Sequence, residues 1–174
     1  ATSADVYGLD LQLGARLDDW TDVILGAQWL QARYKGFANA TCTDYDPDAA
    51  IPYAPVACDV TGNRLPFAPE LKLNLGASRE IDLGRGGALL LSGNLAYNSG
   101  YYSEPDNVVR QDAFATVDAW AEWRPAARGP TIRLWGLNLT DAHYADSLVT
   151  FPTTGVLQRP AAPRRFGLTI GQAF

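Results

Sequence analysis

The chain has 174 residues, 47% of them hydrophobic and 11% aromatic, with 16 glycines and a net charge of −5. That acidic balance argues against a nucleic-acid partner, because phosphate binding needs a clustered basic surface. A mean hydropathy of −0.12, with no apolar run near the roughly 18 residues a spanning helix needs, argues against membrane helices.

The length suffices for one domain with a sizeable core, and no linker divides it. The chain starts Ala1, Thr2, Ser3 and contains no methionine. The expectation is therefore a processed chain or a piece of a longer one, with any secretory leader already removed.

Taken in order, the elements follow a period of two, with almost no helical periodicity. In the first, Tyr7, Leu9, Leu11, Leu13, Ala15 and Leu17 alternate with Gly8, Asp10, Gln12, Gly14 and Arg16. Next, Val23, Leu25, Ala27 and Trp29 oppose Ile24, Gly26, Gln28 and Leu30, a less clean split. Leu71, Leu73, Leu75 and Ala77 then oppose Lys72, Asn74, Gly76 and Ser78. Leu89, Leu91, Leu95 and Tyr97 oppose Ser92, Asn94, Ala96 and Asn98. Ala115, Val117, Ala119, Ala121 and Trp123 oppose Thr116, Asp118, Trp120 and Glu122. In residues 131–138, Ile132 and Leu134 share one face while Leu137 and Leu139 take the other, which a bulge near Gly136 would reconcile. The last element sets Phe166, Leu168, Ile170 and Phe174 against Arg165, Gly167, Thr169, Gly171 and Ala173. The prediction is about seven antiparallel strands, several near 10 residues, the length of a tilted membrane strand.

The connections sharpen this. A tight turn at residues 18–21 is followed by a long polar segment at 38–69, a short link at 80–87, a longer one at 102–112, a short one at 124–130 and a long one at 145–164. Short and long links alternate, as in outer-membrane barrels with short periplasmic turns and long external loops. With the long loops outside, the C-terminus falls in the periplasm. Trp20, Trp123 and Phe174 then mark the inner rim. Tyr34, Phe37, Tyr97, Tyr101, Tyr102, Phe114 and Tyr144 mark the outer one. Cys42 and Cys58, both in the first long segment, read as one disulfide closing a surface loop in an oxidising compartment.

Other candidate sites are weak. His143 is the single histidine and has no nucleophile suggested beside it, so no catalytic residue is assigned. Asp44-Tyr45-Asp46-Pro47-Asp48 opens like a calcium loop, but Ala49 and Pro55 stand where that loop needs glycine and glutamate. No metal or cofactor is assigned.

Three motifs carry a family resemblance. Asn138-Leu139-Thr140-Asp141-Ala142-His143-Tyr144 matches an N-L-x-D-x-x-Y pattern. The ending Pro163-Arg164-Arg165-Phe166-Gly167-Leu168-Thr169-Ile170 through Phe174 matches P-R-x-[YF]-G-[VL]-x-[LI] with a terminal aromatic. Gly62-Asn63-Arg64-Leu65-Pro66-Phe67-Ala68-Pro69-Glu70 matches G-x-x-L-P-x-A-P-[KE]. In this order they resemble the C-terminal barrel strands of TonB-dependent outer-membrane receptors, over essentially the whole chain.

The resemblance implies an all-β, up-and-down transmembrane barrel segment belonging to a 22-stranded barrel, with residues 1–174 its C-terminal part and the plug domain and earlier strands elsewhere. It implies a transporter, not an enzyme, in the Gram-negative outer membrane. The cargo would be a scarce small ligand, most commonly a ferric siderophore, and the TonB complex would be engaged through the plug. Phe166, Gly167, Leu168, Ile170 and Phe174 would form the terminal signal read by the outer-membrane assembly machinery. Asn138, Leu139, Asp141 and Tyr144 would be the family motif at a strand end, Asn138 and Asp141 shaping a turn. No ligand-binding residue is identified. A passive porin and a soluble β-sandwich or barrel binding module are the alternatives, the latter because soluble sheets also alternate.

Overall fold

The structure is a computed structural model that describes residues 3–151 and 154–172. Its strands are β1 (Ser3–Asp18), β2 (Thr21–Gly36), β3 (Ala40–Tyr45), β4 (Tyr53–Cys58), β5 (Leu71–Asp82), β6 (Ala88–Asn98), β7 (Tyr101–Tyr102), β8 (Arg110–Gln111), β9 (Phe114–Arg124), β10 (Thr131–Leu137), β11 (Ala145–Phe151), β12 (Gly155–Pro160) and β13 (Arg165–Gly171). Seven of them form one sheet in the order β1-β2-β5-β6-β9-β10-β13, every pair antiparallel. This is a meander in chain order. The remaining six form three two-stranded hairpins, β3-β4, β7-β8 and β11-β12, one within each long connection. The long connections are thus folded, a feature their polar composition concealed. Among the described residues the helical structure is one 3-10 turn, Gly84–Gly86.

Register explains why the two faces stay separate. Directly paired residues point to the same side. One row runs Leu13, Leu25, Leu75, Leu95, Val117 across five strands. The row beside it on the opposite face runs Gln12, Gly26, Asn74, Ala96, Thr116. On the last strand, Phe166, Leu168 and Ile170 join the apolar row-ends Gly136, Leu134 and Ile132, whereas Gly167 and Thr169 pair with Trp135 and Arg133. Phe174 and Ala173 lie outside the described residues.

The bulge expected near Gly136 is absent. Strand β10 pairs with β9 and β13 without a register shift, so Leu137 stays on the face of Arg133 and Trp135. The strand ends instead at Asn138, whose φ of 51° turns the chain. Leu139 then returns to the apolar face, where its Cδ2 and the Phe166 ring cover Gly136.

The apolar face is not buried. Leu9, Leu13, Leu134, Phe166, Leu168 and Ile170 are all more than half exposed. A continuous bare face of this size in water is a liability for any soluble domain. The buried clusters lie at the other extreme of the molecule, in the long connections. One is Ala40, Cys42 and Val60, packed by Tyr34, Phe37 and Cys58. Another is Val109, Ala145 and Leu148.

Candidate functional site: the polar wall and the loop layer

The polar face carries an amide-rich groove of about 420 Å³ between β1, β2, β5 and β6. Asp10, Gln28, Lys72 and Asn98 form one cross-strand row along it and Gln12, Asn74 and Thr116 belong to the next. Gly26 and Ala96 leave the floor low because they add little side chain. At its end Phe114 stacks on Tyr144, centroids 4.0 Å apart and planes 5° apart. These groups offer both hydrogen-bond donors and acceptors to whatever occupies the wall.

Nearer the short turns, the same face is held by charge. Glu122, 4% exposed, accepts from Arg124 Nε at 2.6 Å and from Arg133 Nε at 2.6 Å. The Arg133 guanidinium lies 4.6 Å from the centroid of the Trp120 ring. A buried carboxylate needs such partners, since unpaired it would lose its hydration without compensation. Two arginines on one carboxylate leave this patch net positive.

At the opposite end of the strands the three long connections interlock. Thr43 N donates to Asp106 Oδ2 at 2.8 Å, joining the first to the second. Asn107 ties them further. Its Oδ1 accepts from Arg64 N at 2.8 Å, and its Nδ2 donates to Arg64 O at 3.0 Å and Glu104 O at 3.2 Å. The side chain thereby imitates a strand partner for Arg64, and its φ of 59° is one asparagine tolerates. Gln111 Oε1 accepts from Ala145 N at 2.8 Å, joining the second connection to the third. Tyr53 of the first packs on Gly155 of the third, where a β-carbon would stand 2.7 Å from its ring. Burial pushes the Tyr101 phenol above its ordinary pKa, with the Asp146 carboxylate adding to the shift.

Cys42 and Cys58 are disulfide-bonded, Cα atoms 5.9 Å apart, within the β3-β4 hairpin. Of the acidic segment at residues 44–48, Asp44 and Tyr45 end β3, and Asp46 Oδ1 then accepts from Asp48 N at 3.0 Å in a turn. Tyr34 and Phe37, expected as rim anchors, instead pack edge to face at 5.3 Å under the disulfide cluster. Phe114 faces the polar side, whereas Tyr7 and Trp29, 6.0 Å apart, pair on the apolar face.

The Asn138–Tyr144 motif is a self-capped turn. Asn138 N donates to Asp118 Oδ1 at 2.8 Å, and Asn138 Oδ1 accepts from Ala142 N at 2.9 Å. Its Nδ2 reaches Ala142 O at 3.0 Å and Ala162 O at 3.3 Å. Asp141, at φ 54°, pairs with Arg164 at 3.4 Å. Asn138 and Asp141 therefore hold the turn against the segment entering β13, and Tyr144 supplies the stacking ring. The motif's position was legible; its grip on residues 162–164 was not.

A meander of seven strands, one bare apolar face, one polar wall and folded links at one end is the pattern of a membrane barrel wall. The family profile described as TonB dependent receptor-like, beta-barrel matches residues 1–139. The chain belongs to this family. Its members are transporters, not enzymes. Solved structures agree in fold. The chain is similar to the ferric yersiniabactin uptake receptor FyuA from Yersinia pestis, at 21% identity and a TM-score of 0.73, over 95% of this chain and 23% of that one. It resembles the siderophore receptor PiuA from Acinetobacter baumannii at 17% identity and TM-score 0.70, over 96% of this chain and 21% of that one. It also resembles the closed form of the ferric-catecholate import receptor Fiu from E. coli K12, at 19% identity and TM-score 0.67, over 98% and 21%. The chain spans about a fifth of the length of these receptors.

Proposed function

We propose that this chain is the C-terminal part of the barrel of a Gram-negative outer-membrane receptor that takes up a ferric siderophore by TonB-dependent transport. The observation that carries the reading is the division of labour in the sheet. Seven strands keep an apolar face on one side and a polar wall on the other, and the folded hairpins sit at one end only, which supports a wall between lipid and a hydrated interior. The receptors it resembles by fold are named for ferric siderophores, which favours that cargo over carbohydrates or other complexes.

In this reading the long loops lie outside and the C-terminus ends in the periplasm. The plug, elsewhere in the full receptor, occupies the polar wall and makes the TonB contact. Phe166, Gly167, Leu168, Ile170 and Phe174 present the closing strand to the assembly machinery. The interlocked loops form the outer vestibule that meets the ligand.

The test is radio-iron uptake under iron limitation in the source bacterium, with and without the full-length gene and with and without TonB. Siderophore-dependent uptake lost in both deletions is expected. Uptake that survives loss of TonB would instead favour a passive porin.

A further inference from the structure

The apolar face is not evenly filled. Near the turn end of the strands it sinks into a groove of about 710 Å³ across β5, β6, β9, β10 and β13. Its floor is Ala77, Gly93 and Ala119, which are directly paired across neighbouring strands, and its walls are Leu91, Leu134 and Phe166. Rows farther along the same face carry leucine and valine at the equivalent places, so the depression is local. Gly93 is open: a β-carbon there would meet only Asp118 O, at 3.7 Å.

One end of the groove reaches Thr21 and Arg79. Arg79 Nη1 is steered by Thr21 Oγ1 at 2.8 Å and Asp18 Oδ2 at 3.3 Å, and about half of each charged side chain remains exposed. A cation and an anion thus sit side by side at the mouth of an apolar channel.

We infer that this groove holds one acyl chain of a zwitterionic glycerophospholipid, with its phosphate on Arg79 and its ammonium on Asp18. This rests on the membrane-barrel reading, with the turn end in the inner leaflet. Three arguments select the occupant. A furrow between a barrel wall and the bilayer is filled by what surrounds it, because leaving it empty forfeits contacts along the whole lining. The groove lies within the sheet on its outward face, where neither the plug nor the rest of the barrel wall can reach. The paired charges at its mouth match a headgroup carrying one charge of each sign, and an arginine fork suits a phosphate.

Native mass spectrometry tests this on the full-length receptor, released from nanodiscs containing equal phosphatidylethanolamine and phosphatidylglycerol. The wild type should retain one phosphatidylethanolamine. Gly93→Leu with Ala119→Leu, which fills the floor, should lose it. Arg79→Ala should weaken retention about tenfold, the loss of one charge-assisted contact. Equal retention in wild type and filled variant overturns the proposal, as does indifference between the two headgroups. A dimer that disperses in the filled variant overturns it in favour of a second copy. Heat-modifiable gel mobility separates the two readings. A receptor lacking that mobility refutes the membrane barrel, whereas a heat-modifiable barrel with unselective lipid refutes only the groove.

Discussion

Trp135 lies against Gly167 on the adjacent strand, and its indole N–H donates to Thr169 Oγ1 at 3.2 Å. The ring occupies the space a side chain at 167 would take. The glycine that the sequence places in the terminal strand is therefore a seat for the tryptophan of β10. It couples the last strand of this sheet to its neighbour by a contact that register alone does not provide.

Gly167→Val should accordingly displace the ring and destabilise the β10-β13 pairing by about 1–3 kcal/mol, the usual cost of overpacking. Gly171 has no atom near its absent β-carbon, so Gly171→Val should be close to neutral. Urea unfolding of the full-length receptor in detergent, followed by tryptophan fluorescence, compares the two. Equal midpoints would show that Gly167 does not seat the ring.

The facing of the same strand sets a second expectation. Ile170 belongs to the apolar row with Ile132, and Thr169 pairs with Arg133 on the polar side. Ile170→Arg should impair insertion, at up to about 2–4 kcal/mol for a charge in the bilayer and less near the interface. Thr169→Arg puts the charge in the hydrated interior and should insert well. Heat-modifiable mobility of the two full-length variants reads the difference, and identical behaviour would reverse the assignment of faces.

The disulfide should act on the loops and spare the wall. Closing a loop across a separation of 16 residues is worth about 3 kcal/mol in the chain-entropy picture. Cys42→Ser with Cys58→Ser should expose residues 40–58 to limited proteolysis on whole cells while the barrel keeps its heat-modifiable shift. Loss of that shift would mean the bond supports the barrel itself.

Asn107 makes the sharpest claim about the loop layer. Asn107→Ala removes contacts to both the N–H and the carbonyl of Arg64 and leaves a left-handed residue without a side-chain bond. A cost of about 1–3 kcal/mol is expected for stranded polar groups. Hydrogen exchange should quicken in residues 61–65 and 104–109 and stay unchanged in β5, β6 and β9. Uniform protection would show that the layer is held elsewhere.

By itself the sequence determined the seven main strands, the two faces of most of them and the alternation of short and long links. Those properties are local: a strand shows each side chain to alternate faces, so a period of two is written residue by residue. Tertiary structure alone decided what the long links do. Thr43 meets Asp106 across 63 positions and Asn107 meets Arg64 across 43, and no periodicity spans such gaps. It also decided what single aromatics touch, packing Tyr34 and Phe37 against the disulfide cluster. At Gly136 the pattern pointed to a bulge, yet one left-handed asparagine after the strand returned Leu139 to the apolar face. Alternation specifies a face only while the chain stays extended. Beyond the strand ends, the hydrogen bonds each backbone group can find decide the path.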